Sequence, residues 1–163
     1  MPTVRLALEG DLASLLELFA SAEVSDHAQP IERARQIWAE TLASDATDAF
    51  VAMEGERVAA TCMLITVPNL LRGGRRLAVL ENVASHPDFR RGGYGRAVVE
   101  AALQAAWDKD CYHVSMQSGR QDPAVHKFYK DRGFIPGLRT AYVVHNPALG
   151  SLEDLIAARP LGR

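Results

Sequence analysis

HPDFRRGGYGRAVVEAAL, residues 86–103, sets two arginines against three glycines, interrupted by one tyrosine, and then turns helical. Glycine lets backbone N–H groups converge without interference from a Cβ, and a helix start adds partial positive charge. The stretch therefore has the makings of a phosphate cradle, with Arg90, Arg91 and Arg96 adding full charges around the same point. A flexible loop with solvated arginines is the other reading of the same residues. Two familiar phosphate motifs are excluded. A P-loop ends in Gly-Lys-Ser/Thr, whereas Gly95 is followed by Arg96-Ala97. The dinucleotide fingerprint wants a third small residue where this chain has Val98, and an acid at the end of the next strand that is not clearly present.

Outward from this stretch, 163 residues suit a single domain spanning 1–163, with about 146–163 as a C-terminal extension. Hydrophobic residues at 48% and charged ones at 23% match a soluble globular chain rather than a disordered or membrane one. The net charge of −2 gives no global pull toward nucleic acid, so basic chemistry must be local. Cys62 and Cys111 stand in apolar surroundings without motif spacing, as reduced thiols of a cytoplasmic protein would. No secretion signal and no membrane-spanning run are expected.

Residues 4–8 read as a first strand, followed by a helix with Leu12, Leu15, Leu16 and Phe19 as its stripe and Asp11 as its cap. A second helix begins after Pro30, with Ile31, Ala34, Ile37, Trp38 and Leu42 on one side. Residues 50–67 read as a hairpin turning at Glu54-Gly55-Glu56. The polar loop PNLLRGGRR leads to a strand over 77–85 that is apolar on both faces and therefore central. A helix over about 95–108 has Val99, Ala102, Leu103 and Ala106 as its buried stripe, and a strand follows over 112–118. Asp122-Pro123 starts a helix carrying Val125, Phe128 and Tyr129, which Gly133 ends. A final strand is expected over 138–145, and one short helix in the tail after 150. The order β-α-α-β-β-β-α-β-α-β is mixed α/β.

Arg90-Arg91-Gly92-Gly93-Tyr94-Gly95, preceded by His86-Pro87-Asp88, resembles the Arg/Gln-x-x-Gly-x-Gly signature of the GNAT superfamily of N-acetyltransferases. Downstream, Phe128-Tyr129-Lys130-Asp131-Arg132-Gly133-Phe134 is similar to that family's second signature, one helix and one strand away. The resemblance implies an α/β fold with a mixed, mostly antiparallel twisted sheet flanked by helices, and a splayed parallel strand pair at the coenzyme A site. It implies acetyl-CoA as co-substrate, its pyrophosphate gripped by the turn: Arg90, Arg91, Gly92, Gly93, Tyr94, Gly95 and Arg96. Within the signature Gly92 is less constrained than Gly93 and Gly95, and Tyr94 falls at a variable position where its ring packs against the fold. The pantetheine arm would pair with main chain at Val83, Ala84 and Ser85 like an added strand. Asp122 stands where the family often has a cofactor-contacting Asn; the carboxylate keeps an acceptor and loses a donor, so that contact carries over weakly.

Acetylating an amine with a thioester needs a neutral amine, a stabilised oxyanion and a proton donor for the leaving thiolate. Tyr129 stands where the family's signature tyrosine serves as donor, and a phenol is protonated at neutral pH; a core tyrosine on a helix stripe is the other reading. Glu81 lies inside the apolar central strand, where an unpaired carboxylate is costly. Alternation puts it with Leu77, Val79 and Val83, opposite Leu80, Asn82 and Ala84. Glu81-Asn82-Val83 resembles the Glu-Asp-Val before the turn in glucosamine-6-phosphate N-acetyltransferases, which points to a base taking a proton from the substrate ammonium, directly or through water. A salt bridge to an arginine or a strand-end position facing solvent explains Glu81 equally well. His86, His113 and His126 look isolated, His113 being a second base candidate, and no metal site is expected.

Arg72, Arg75 and Arg76 in the loop before the central strand would bind an acceptor's carboxylate or phosphate, or be solvated, or flank coenzyme A's own phosphates. The leading expectation is transfer of acetyl from acetyl-CoA to a primary amine of a small molecule by direct attack in a ternary complex. Acetylation of a protein N-terminus or lysine, and a non-catalytic CoA-binding regulatory module, are the alternatives. Nucleic acid and membrane are not expected partners, and residues 151–158 would cap the domain or pack across a homodimer.

Overall fold

The computed structural model describes residues 2–22, 24, 27–144 and 146–149. It divides into two compact units, Met1–Met116 and Gln117–Arg163. The first unit runs β1 (Thr3–Leu6), α1 (Leu12–Ala22), α2 (Ile31–Ala43), β2 (Thr47–Glu54), β3 (Arg57–Val67), β4 (Arg76–Ser85), α3 (Tyr94–Asp108) and β5 (Cys111–Ser115). Among the described residues these strands form one sheet in the order β1-β2-β3-β4-β5. The first four are antiparallel, and β4 and β5 are parallel. This is the α/β arrangement the GNAT resemblance implied.

Local chemistry explains the connections. Glu54 pairs with Arg57, which leaves a two-residue loop whose Gly55 has φ +59°, the positive angle that tight hairpins demand. A parallel β4–β5 pair cannot be closed by a hairpin, and α3 supplies the crossover.

The sheet is covered on both faces. Leu15, Leu18 and Ala22 of α1 bury against Val51, Val58 and Ala84, with Trp38 of α2 at the margin. The α1 stripe therefore centres on Leu15 and Leu18, while the expected members Leu12, Leu16 and Phe19 are half-buried. Cys62 follows Thr61, the partner of both Val51 and Ala84, and so points to the opposite face. There its thiol donates to the Val98 carbonyl at 3.3 Å, tying α3 to β3, and Val98, Val99, Ala102 and Ala106 are fully buried. Burial pushes the Cys62 thiol up to about 12, so it stays protonated and unreactive.

Asp11 has a different role from the expected cap of α1. It closes a 3-10 turn at Glu9–Asp11: one oxygen accepts the Leu8 N–H at 2.7 Å, and both oxygens accept from Arg5, at 2.6 and 2.8 Å. The Arg5 hydrogen bonds, reinforced by the Leu8 N–H, outweigh burial and hold the Asp11 carboxyl below the usual carboxylate range. A lowered folded-state value stabilises the fold above the unfolded-state value of about 4, and the gain is lost as pH falls through the folded one. Because Arg5 is about one-third exposed, solvent screens the pair. Arg5→Ala is expected to cost about 1–2 kcal/mol at pH 7. Urea unfolding should show the wild-type advantage shrinking as the pH is lowered below the unfolded-state value of about 4.

In the second unit, the Asp122 side chain accepts the Ala124 N–H at 2.8 Å and starts α4 (Pro123–Lys130), with proline in the first turn. Gly133, at φ +85°, ends it. The strand expected over 138–145 is not formed: residues 138–144 lie in no strand, and His145 lies outside the described residues, as does the tail helix expected after 150. Leu138, Tyr142, Val143 and Val144 are 66–94% exposed. Alternating apolar residues make a strand only where a neighbouring edge completes the ladder. The strand expected over 112–118 ends at Ser115 for a related reason, since its pairing with β4 stops there.

Candidate active site

Between β4 and α3 the chain makes a 3-10 turn at Pro87–Phe89 and then the glycine turn. The N–H groups of Phe89, Arg90 and Gly92 are used locally, bonding the carbonyls of His86, Pro87 and Phe89. Those of Arg91, Gly93, Tyr94, Gly95 and Arg96 donate to no described residue. Positive φ at Arg91 (+67°) and Gly93 (+83°) turns the chain so that these donors collect at the α3 N-terminus. Open N–H groups on a helix dipole form a receptor for a diphosphate, so the residues present fit coenzyme A. The side chains of Arg90 and Arg91 are exposed, and Arg96 is bonded to Glu100 at 2.7 Å.

Gly92 is more constrained than its place in the motif indicated. A Cβ there would stand 2.5 Å from Tyr94 Cε2 and 3.2 Å from the Phe89 carbonyl. The Tyr94 ring is held from its other end, where the phenol donates to a Glu54 carboxylate oxygen at the end of β2. That bond raises the Tyr94 phenol above its ordinary range. Gly92→Ala is expected to weaken acetyl-CoA binding about tenfold, because ring and turn can no longer share the space. Adding Tyr94→Ala, which empties that space, should recover most of the loss in a calorimetric titration.

β4 and β5 pair only as far as Val79 with Ser115, and β4 then continues to Ser85 alone on that side. Among the described residues the β5-facing edge of Val83, Ala84 and Ser85 therefore meets no strand, and it leads directly into the glycine turn. The structure thus brings these three residues together with Arg91 to Arg96. A bulge reshapes the strand here. Glu81 pairs with Met63 and Ala84 with Thr61, so three steps along β4 match two along β3. Asn82, at φ +52°, absorbs the extra residue, a conformation asparagine tolerates better than most. Simple alternation separates Glu81 from Ala84; the bulge instead places both on one face, the side on which Ala84 packs in the α1 core. Glu81 is half-buried and enters no ion pair among the described residues, so the expected alternative of a salt bridge is not what holds it.

The loop arginines are partly committed. Arg75 Nε lies 3.4 Å from Asp110 Oδ1, and the Arg72 guanidinium sits 5.5 Å from the Tyr112 ring centre. Arg76 is half-buried, and its main-chain N–H donates to the Asp110 carbonyl at 3.2 Å. Arg72 and Arg75 remain exposed and able to meet an anion.

In the second unit, Tyr129 is half-buried in α4, edge-on to Phe128 at 5.0 Å and to Phe134 at 5.7 Å between ring centres. Its carbonyl accepts the N–H groups of Arg132 and Phe134, at 3.0 and 3.2 Å, closing the turn around Gly133. The second signature is thus a folded unit built around the tyrosine ring. Asp122 is exposed and occupied as the α4 cap.

Sequence reasoning took His86 to be isolated; it is 6% exposed and engaged at both nitrogens. Nδ1 faces the Asp88 N–H at 3.2 Å and Nε2 faces Arg57 at 3.1 Å; a neutral ring accepts only one of these bonds, according to its tautomer. Arg57, Glu54 and Glu17 were not anticipated around the turn. They come from segments roughly 30 to 70 residues earlier, beyond the reach of any local spacing.

Comparison with known proteins agrees with this fold. Residues 12–134 match the Acetyltransferase (GNAT) family profile. A glucosamine 6-phosphate N-acetyltransferase of Trypanosoma brucei brucei is 28% identical over 131 residues, 80% of this chain and 87% of that protein. A provisionally assigned acetyltransferase of Agrobacterium tumefaciens str. C58 superposes with a TM-score of 0.82 at 39% identity, covering 88% of this chain and 99% of the other. The glucosamine-6-phosphate N-acetyltransferase of Arabidopsis thaliana shares the fold, with a TM-score of 0.76 at 19% identity over 90% of this chain and 99% of its own. No helix among the described residues is long and apolar enough to cross a membrane.

Proposed function

Because the chain belongs to the GNAT family of acetyltransferases, which use acetyl-CoA, we propose that it acetylates a primary amine of a small anionic metabolite by direct attack in a ternary complex. An amino-sugar phosphate is the first acceptor to test. The observation that carries the reading is the set of open N–H groups from Arg91 to Arg96, continuous with the unpaired edge of β4. Similarity to a glucosamine 6-phosphate N-acetyltransferase and the exposed Arg72 and Arg75 support the acceptor class.

Acetyl-CoA supplies an activated thioester. The turn N–H groups orient its diphosphate, and the main chain of Val83, Ala84 and Ser85 aligns the pantetheine arm as an added strand. Glu81 Oε accepts a proton from the substrate ammonium, directly or through water, leaving the amine nitrogen free to attack. The Tyr129 hydroxyl donates its proton to the departing thiolate. One C–N bond forms and one C–S bond breaks; the adduct nitrogen loses its second proton through water to the Tyr129 phenolate, which restores the phenol, and Glu81 releases the first to solvent.

The test pairs acetyl-CoA calorimetry with a thiol-release screen of glucosamine 6-phosphate, glucosamine, amino acids and a peptide with a free N-terminus. Turnover of the phosphorylated amine well above its unphosphorylated counterpart is expected. Turnover of the peptide alone would replace the acceptor class, and binding without any turnover would overturn the catalytic reading.

A further inference from the structure

We propose that Arg57 is a positioning residue for acetyl-CoA, setting the direction of the N–H groups from Arg91 to Arg96; this rests on the reading of that turn as the diphosphate cradle. Arg57 stands at the start of β3, and its guanidinium bonds Glu17 and the segment before the turn, at His86 and Asp88. Its Nη2 lies 2.8 Å from Glu17 Oε1 on α1, 3.1 Å from His86 Nε2 and 3.7 Å from Asp88 Oδ2. Its guanidinium carbon lies 5.0 Å from the Phe89 ring centre. One planar cation thus touches α1 and three residues of the segment that carries the chain out of β4.

The coupling to the cradle runs through covalent neighbours and short contacts. The Phe89 carbonyl accepts the Gly92 N–H at 3.3 Å, and the Phe89 ring lies 6.1 Å from the Tyr94 ring, which in turn covers Gly92. A shift of Phe89 therefore moves Gly92 and Tyr94 together. Charge acts in the same direction. Removing Arg57 leaves the Glu17 and Asp88 carboxylates uncompensated beside a segment that receives a polyanion. Lysine would keep the charge but cannot lie flat on Phe89 while bonding both Glu17 and His86.

The experiment measures acetyl-CoA Kd by calorimetry, together with kcat and KM, on wild type, Arg57→Ala, Arg57→Lys and Glu17→Gln. Arg57→Ala is expected to raise Kd and acetyl-CoA KM about 10- to 30-fold and to change kcat at saturating acetyl-CoA less than about twofold. Arg57→Lys should recover part of the loss, and amide exchange over residues 89–94 should quicken in Arg57→Ala. A role confined to stability would lower the melting temperature and leave the Kd of folded protein unchanged, which would overturn the proposal. Should Arg57→Ala not fold, Glu17→Gln decides: about threefold weaker binding supports it, and a wild-type Kd overturns it. Wild type failing to bind acetyl-CoA would instead refute the reading of the turn itself.

Discussion

Gly93→Val is expected to raise the acetyl-CoA Kd about 100-fold or more while the protein remains folded. Space is not the reason, since a Cβ at Gly93 would meet nothing within 4 Å. The reason is conformation: Gly93 caps α3 at φ +83° and ψ 0°, a left-handed geometry that a β-branched residue resists by about 1–3 kcal/mol. The chain relieves that strain by rotating toward negative φ, which swings the Gly93 and Tyr94 N–H groups out of the cradle. Losing two hydrogen bonds to a charged diphosphate, at about 1.5–3 kcal/mol each, accounts for the predicted weakening. Because the turn is exposed and the α3 core residues are untouched, the melting temperature should fall by only a few degrees. Calorimetry on the folded variant is the measurement, and a Kd within about threefold of wild type would remove the turn from the cofactor site.

Tyr129→Phe is the second large effect, and it falls on kcat. The substitution deletes one oxygen and keeps the ring, so the edge-on contacts with Phe128 and Phe134 survive. If the hydroxyl protonates the departing thiolate, kcat should drop about 10²- to 10³-fold, with the acetyl-CoA KM changed less than about threefold. A tyrosine that merely packs in the α4 turn would show the reverse: kcat within about threefold and a small loss of stability. Steady-state rates at saturating acetyl-CoA, with the pH profile recorded for both proteins, separate the two.

Much of the site could be read in the sequence because its signals are short. Gly93 and Gly95 before an apolar helical repeat, Gly55 between two strands, and Asp122-Pro123 at a helix start each act within a few residues of themselves. Their effects are backbone effects: a positive φ, an absent Cβ, a capped N–H. The hairpin and the start of α3 follow from them, whereas the parallel pairing of β4 with β5 is what the GNAT resemblance implied.

Tertiary structure decided the rest, and the reason in each case is a partner distant in sequence. Glu81 joins Ala84 on the α1 face because β3 offers two residues where β4 spends three, a register that β4 alone does not encode. Gly92 has no room for a Cβ because Glu54, 40 residues from Tyr94, holds the ring over it. His86 is buried under Arg57, 29 residues away, which no periodicity announces. Residues 138–144 carry the alternation of a strand and form none, since a ladder is a property of two edges and only one is written in the segment itself. The sequence by itself determined where the backbone can turn and which donors it leaves open; the folded chain determined which distant side chains hold that turn in place.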